Sequence, residues 1–192
     1  MKTSIWACLL MALILAGGSA SAQSRGGARA AFEKGDNTLG FSVGVGAAHA
    51  YRGGTTYLPA FAVNFDHGLV GNVGPGTIGI GGIVSWQSSY YRFGNGDRDV
   101  WANFHIGVRG TYHLTLLKEK NNKFDPYAGA TLGIRAESFR TDRGNAGNSY
   151  GGAYPFFGPF IGAKYNFTPK FGAFSELGFD VSIFRIGLHL NI

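Results

Sequence analysis

The sequence predicts an all-β fold, an eight-stranded antiparallel up-and-down transmembrane β-barrel, and three observations carry that expectation. The first is the end of the chain. From Ser182 to Ile192, Phe184, Ile186, Leu188, Leu190 and Ile192 alternate with Arg185, Gly187, His189 and Asn191. A period of two marks a strand with one apolar and one polar face. The second is repetition: segments of this kind recur about eight times, at the roughly nine to eleven residues of a tilted membrane-crossing strand. The third is composition. Glycine supplies 32 of 192 residues without a collagen period, and aromatics make up 15%. These glycines are interleaved with Val, Ile, Leu and Phe, which disordered segments lack; a narrow, crowded barrel interior accounts for them.

The first strand starts at Thr38. Leu39, Phe41, Val43, Val45 and Ala47 form its apolar side, and Gly40, Ser42, Gly44, Gly46 and Ala48 its small inner side. The second runs from Leu58 to Phe65 with Phe61, Val63 and Phe65 outward, and Pro59 near its end because proline donates nothing to a ladder. Asp66 to Gly76, rich in glycine and asparagine, reads as a turn. Strand three carries Ile78, Ile80, Val84 and Trp86 outward, followed by a polar, aromatic loop from Ser88 to Asp99. Strand four puts Val100, Phe104, Ile106, Val108 and Tyr112 outside and Trp101, Asn103, His105, Arg109 and Thr111 inside, ahead of a charged turn at Lys118 to Asp125.

Strand five sets Ala128, Ala130, Leu132 and Ile134 against inward Tyr127, Thr131, Arg135 and Glu137. The longest loop is expected at Ser138 to Ala153. Strand six has Phe157, Ile161, Ala163, Tyr165 and Phe167 outside and Lys164 and Asn166 inside, with an upper half made irregular by Pro155 and Pro159. After Thr168-Pro169-Lys170, strand seven sends Ala173, Leu177 and Phe179 outward and Phe174 and Glu176 inward; a short connection at Asp180 reaches the closing strand. With both termini periplasmic, the connections near 49–56, 88–99, 138–153 and 180–182 are expected outside the cell.

The chain divides into residues 1–22, 23–37 and 38–192. Lys2, the apolar run Ile5 to Ala16 and Ala20-Ser21-Ala22 make a secretory signal with cleavage expected before Gln23. Residues 23–37 read as a periplasmic lead-in, and 38–192 as the barrel. Cys8, the single cysteine, lies in the signal, which leaves no disulfide or cysteine metal site after it. The formal charge of +6 is scattered along the chain, so no nucleic-acid surface is expected.

Functional residues are sought on the inner face. Arg109, Arg135, Glu137, Lys164, Glu176 and Arg185 all point inward by parity. A charge in a narrow barrel is costly unless paired, so these six are expected to form a lumen charge network, and an eight-stranded interior is just wide enough for side chains to fill. A turn centred near 170 would set Glu176 directly opposite Lys164, with Arg185 as the competing partner. An ion path through the same charges is the sharper alternative. The five histidines show no metal-ligand spacing. His113 and Thr115 are the nearest match to a lipid hydrolase pair, but there is no serine and both point inward. Gly74-Pro-Gly-Thr-Ile-Gly79 fits a dinucleotide pattern but leads from a turn into a strand, where that site needs a strand and then a helix. No catalytic, cofactor or metal residues are assigned, and no enzyme is expected.

The segments Tyr127-Ala-Gly-Ala-Thr-Leu-Gly-Ile134 and Gly158-Pro-Phe-Ile-Gly-Ala-Lys-Tyr-Asn-Phe-Thr-Pro-Lys-Phe-Gly-Ala-Phe-Ser-Glu-Leu-Gly-Phe179 resemble the small porin-like outer-membrane β-barrel proteins of Bacteroidota, related in architecture to the OmpA and OmpX barrels. The resemblance is strongest from Tyr127 to Ile192 and extends back to Thr38. It departs at Ile192, where many such barrels end on an aromatic. It implies an outer-membrane location in a Gram-negative bacterium, outer-membrane lipid around the barrel, and the assembly machinery as a partner of the C-terminal strand. It implies no catalytic residues. The expected role is structural or surface-interacting, with a side-chain-filled lumen; the alternatives are a narrow porin and a soluble, lipocalin-like ligand carrier.

Overall fold

The computed structural model describes residues 30–46, 55–94, 96–115, 122–141 and 149–192. The expected signal, and parts of the connections near 49–56, 118–125 and 138–153, lie outside the described residues. Nine strands form in chain order: β1 (Asn37–Val45), β2 (Thr56–Tyr57), β3 (Ala60–Val73), β4 (Gly76–Arg92), β5 (Arg98–Leu114), β6 (Phe124–Thr141), β7 (Ser149–Asn166), β8 (Phe171–Gly178) and β9 (Phe184–Asn191). Apart from β2, each pairs antiparallel with its neighbour, and β9 pairs with β1 to close the ring. Eight strands therefore make the barrel, while two-residue β2 adds to the upper end of β4.

Strand parity agrees with the sequence pattern. Phe41, Phe61, Ile106, Val108, Leu132, Phe157, Ile161, Leu177, Ile186 and Leu188 are exposed on the outer face. Asn103, His105, Arg109, Thr131, Lys164, Glu176 and Arg185 are buried inside. A soluble ligand carrier would have the reverse polarity, so that alternative fails.

Three boundaries differ from expectation. The proposed turn Asp66 to Gly76 is mostly strand: β3 continues to Val73, and the connection to β4 is only Gly74-Pro75. Register shifts at Gly68/Val70 and Val70/Val73 place Leu69 and Val70 both outward, which breaks the alternation. Such bulges are local kinks within a ladder rather than its end. Asp66 precedes both shifts and shares the inward parity of Ala62 and Asn64, so it is a strand residue and fully buried.

The loops expected at 88–99 and 138–153 are likewise largely strand. β4 and β5 have 17 residues each, and β6 and β7 have 18 each. A bilayer needs about ten. Above Trp86 and Phe104 the outward side chains become smaller or polar, running Ser88, Tyr90 and Arg92 on β4 and Ala102, Val100 and Arg98 on β5, while the backbone ladder continues. By contrast β1, β8 and β9 have 9, 8 and 8 residues. The barrel is thus lopsided, with a tall wall of β4–β7 rising over a low rim.

The prolines of β7 do not make it irregular. Pro159 accepts from the Phe179 N–H, so the backbone of odd-numbered residues in this strand faces β8. Pro155 and Pro159 therefore turn their missing N–H away from β6, and the β6–β7 ladder is unbroken from Phe124↔Tyr165 to Arg140↔Ser149. Above Phe160 that side of β7 has no β8 partner, and a proline there blunts the open edge.

Both ends of the lumen receive a segment. At the end of the barrel where β1 begins, residues 30–36 fold into the mouth. Phe32 is 1% exposed and stacks on His113 with ring centroids 3.9 Å apart. Gly68 exchanges backbone hydrogen bonds with this segment, donating to Asp36 and accepting from Gly35. A Cβ at Gly68 would collide with the Glu33 carbonyl, which accounts for glycine there. The expected lead-in thus ends as a stopper. Phe32→Leu keeps the bulk but removes ring stacking, and we expect a loss of about 1 kcal/mol in urea unfolding from detergent micelles; an unchanged midpoint would mean the ring is not seated. At the other end, the connection between β8 and β9 turns inward. Asp180, Val181 and Ser182 are all 1% exposed, and Val181 packs with Ala62 and Ile83.

Candidate functional site: the lumen charge network

Between the two stoppers lies a layer of buried charge. Cross-strand register explains its height. Gly81, Arg109, Thr131 and Gly158 stand in one row across β4–β7, and Glu176 faces Arg185 across β8–β9. Glycine at two positions of the first row leaves room for the guanidinium of Arg109 to reach across the interior.

Glu176 is the hub. One carboxylate oxygen accepts from Arg109 Nη2 at 2.6 Å and from the Tyr127 hydroxyl at 2.7 Å. The other accepts from Arg185. Arg185 continues to Asp180 Oδ2 at 3.0 Å, which also accepts from Thr131 Oγ1 at 3.2 Å. Arg109 lies over the Phe160 ring at 4.3 Å and pairs with Asp66 through Nε at 3.6 Å. Lys164 Nζ donates to Asp66 Oδ2 at 3.2 Å and to Thr38 Oγ1 at 2.9 Å. Three cations, Arg109, Lys164 and Arg185, thus meet three carboxylates, Asp66, Glu176 and Asp180. The formal charge cancels in a space that water barely reaches. Such a layer persists only because each charge has a partner, since an unpaired buried ion costs several kcal/mol.

The expected Glu176–Lys164 pair is not formed. Lys164 stands opposite Phe174, and Glu176 opposite Gly162. Asn166↔Gly172 centres the turn at 169 rather than 170, which shifts the pairing by two residues and turns Lys164 to Asp66. Of the six residues read from the sequence, Arg109, Lys164, Glu176 and Arg185 come together. Arg135 and Glu137 form a separate, looser pair at 3.7 Å higher in the wall, with Arg135 beside Tyr154. Asp66 and Asp180 were missed, because one sits before a bulge and the other in a connection. Tyr127 was read as inward but not as a partner of the charges. A signal did exist for the missed pair: four inward cations against two inward carboxylates required more acid.

Below this layer, His113 shares hydrogen bonds with Asp125 at 2.7 Å and Thr111 at 3.0 Å. His189 shares one with Asn166 at 2.8 Å. His113 is 0% exposed, so it faces no lipid.

No family model and no curated relative matches the chain. Among solved structures, it is similar to a de novo designed transmembrane β-barrel, at 12% identity and TM-score 0.49, over 84% of this chain and 98% of that one. It is similar to the N-terminal β-barrel domain of Pseudomonas aeruginosa OprF, at 11% identity and TM-score 0.48, over 83% of this chain and 98% of that one. It is also similar to Ail, the attachment invasion locus protein of Yersinia pestis, solved with the heparin analogue sucrose octasulfate, at 9% identity and TM-score 0.44, over 81% and 93%. The closed ladder and its polarity decide the matter on their own. A charged, filled interior inside an apolar exterior is the pattern of a transmembrane barrel, and the chain is a transmembrane β-barrel protein.

Proposed function

We propose that this protein is a non-enzymatic barrel whose lumen is a structural plug and whose tall wall serves surface interaction. The observation that supports it best is the neutral, three-against-three charge layer between Phe32 and Val181. A solute would have to displace ion pairs in an interior that eight strands already fill. Membership of the porin-like barrels of Bacteroidota, a Gram-negative setting, a removed signal at 1–22 and assembly through the β9 strand belong to the same reading. The wall of β4–β7 supports the surface role, since it extends well beyond what a bilayer requires and carries exposed Tyr150 and Tyr154 near its edge.

Single-channel recording in planar bilayers tests the plug. The purified protein should show no steady conductance, and Phe32→Ala alone should not open it, because the charge layer remains. Large, stable current steps in the parent would put the narrow porin in first place.

A further inference from the structure

The inner face of the tall wall carries a strip of supported, exposed aromatic rings, and we infer that it binds a neutral, hydroxyl-rich glycan. The inference rests on the surface-interaction reading above and names the partner. On β7 the even-numbered residues face inward, and Phe156, Phe160 and Lys164 are accordingly buried. Tyr150 and Tyr154 share that parity, yet they are 54% and 45% exposed. They are therefore neither core residues nor members of a lipid-facing girdle. The lumen opens at this height because β8 stops at Gly178, opposite Phe160. The Asp180 backbone crosses against Gly158, where a Cβ would collide with it. Above that floor both tyrosines stand clear of the plug.

Each ring is held from behind. Trp101, Phe139 and Tyr150 lie in one row across β5, β6 and β7. Buried Trp101 backs Phe139 with centroids 5.3 Å apart, and Phe139 stacks on Tyr150 at 4.7 Å. Tyr154 lies over Gly152, where a Cβ would meet its hydroxyl, and the Arg135 guanidinium stands 5.4 Å from its ring centre. Rings fixed before a partner arrives lose little entropy on contact, and tyrosine joins a flat apolar face to a polar edge.

The surroundings select the partner. Tyr150 and Tyr154 are separated by about 13 Å of strand, longer than one sugar ring. A pyranose offers an apolar C–H face to such rings and a rim of hydroxyls, each both donor and acceptor. Among the described residues of β4–β7 above the charge layer, the ionised side chains of inward parity are Arg135, Glu137 and, one row above Trp101, Asp99. One cation against two carboxylates holds no attraction for an acidic glycan. An extended peptide would need the open edge of β7, from which Pro155 removes a donor.

The purified protein, folded in lauryldimethylamine oxide micelles because that detergent carries no sugar, is titrated calorimetrically. The probes are cellohexaose, maltohexaose and mannohexaose, with hexagalacturonic acid and an alternating Thr-Ser hexapeptide beside them. At least one neutral hexasaccharide should bind with a millimolar Kd, about tenfold tighter than the acid or the peptide. Tyr150→Ala and Tyr154→Ala should each weaken it about tenfold, whereas Tyr150→Phe, which keeps the ring, should bind as the parent does. Both sites are exposed, and heat-modifiable gel mobility verifies folding. No binding of any neutral hexasaccharide overturns the glycan site. So does tighter binding of the acid or the peptide, or parent-like binding by both alanine variants. A loss in Tyr150→Phe equal to that in Tyr150→Ala would assign the contact to the hydroxyl and overturn the stacking. The surface reading is tested separately, by labelling exposed Ser149→Cys on intact cells with a membrane-impermeant maleimide. Labelling is expected without permeabilisation. Labelling only after it would overturn the surface reading, whatever the calorimetry gives.

Discussion

Glu176→Gln should destabilise the folded barrel by about 3–5 kcal/mol, the cost of removing one partner from a buried ion pair. Glutamine keeps the shape and one acceptor oxygen. It leaves Arg109 and Arg185, 0% and 1% exposed, short of the negative charge that both contact. Urea unfolding in detergent micelles, followed by heat-modifiable mobility, reads the loss. Double-mutant cycles assign it. Coupling of Glu176→Gln with Arg185→Met should exceed that with Lys164→Met, because Lys164 is paired to Asp66. Stronger coupling to Lys164 would restore the register expected from the turn at 168–170 and sink the one described. Removing every charge of the layer at once with well-packed apolar residues should cost far less than the single change, since the penalty lies in the unpaired ion.

Ile106→Arg should weaken insertion by about 2–4 kcal/mol, and Ser138→Arg by no more than about 1 kcal/mol. Both residues face outward, Ile106 in the middle of the belt at 41% exposure and Ser138 above it on the tall wall. An arginine at mid-membrane leaves its charge in hydrocarbon, whereas one above the belt reaches headgroups and water. Folding yield into lipid vesicles of fixed chain length measures the difference. Equal costs at the two positions would place the belt wrongly on β5 and β6. Unimpaired insertion of Ile106→Arg would reverse the parity of β5 altogether.

The strands were legible because alternation is local. Phe184 to Ile192 need only know which face is lipid, and the same holds for Leu39 to Val45 and Phe104 to Tyr112. Strand ends were not legible where lipid stops. Ser88, Ser138 and Gly151 lack an apolar face because water surrounds the tall wall there, so their composition resembled loop while the ladder ran on. At Asp66 the failure had a different origin. Two register shifts put Leu69 and Val70 on one face, and a two-residue connection followed where eleven residues of glycine and asparagine pattern had suggested a turn.

The sequence by itself determined the closed all-β fold, the inward set Arg109, Lys164, Glu176 and Arg185, and the need for buried charges to be paired. Only the tertiary structure decided who pairs with whom. Lys164 meets Thr38 across 126 positions of chain, and Arg109 meets Glu176 across 67. It also brought Phe32 into one mouth and Asp180–Ser182 into the other. The physical reason is that side-chain parity repeats every two residues and is fixed within a strand, whereas partners across a lumen depend on how strands are staggered when the sheet closes. A shift of one residue in the centre of a single turn moves that pairing by two, and this was enough to put Gly162 in place of Lys164 opposite Glu176 and to leave Arg185, on the other neighbouring strand, as its cross-strand partner.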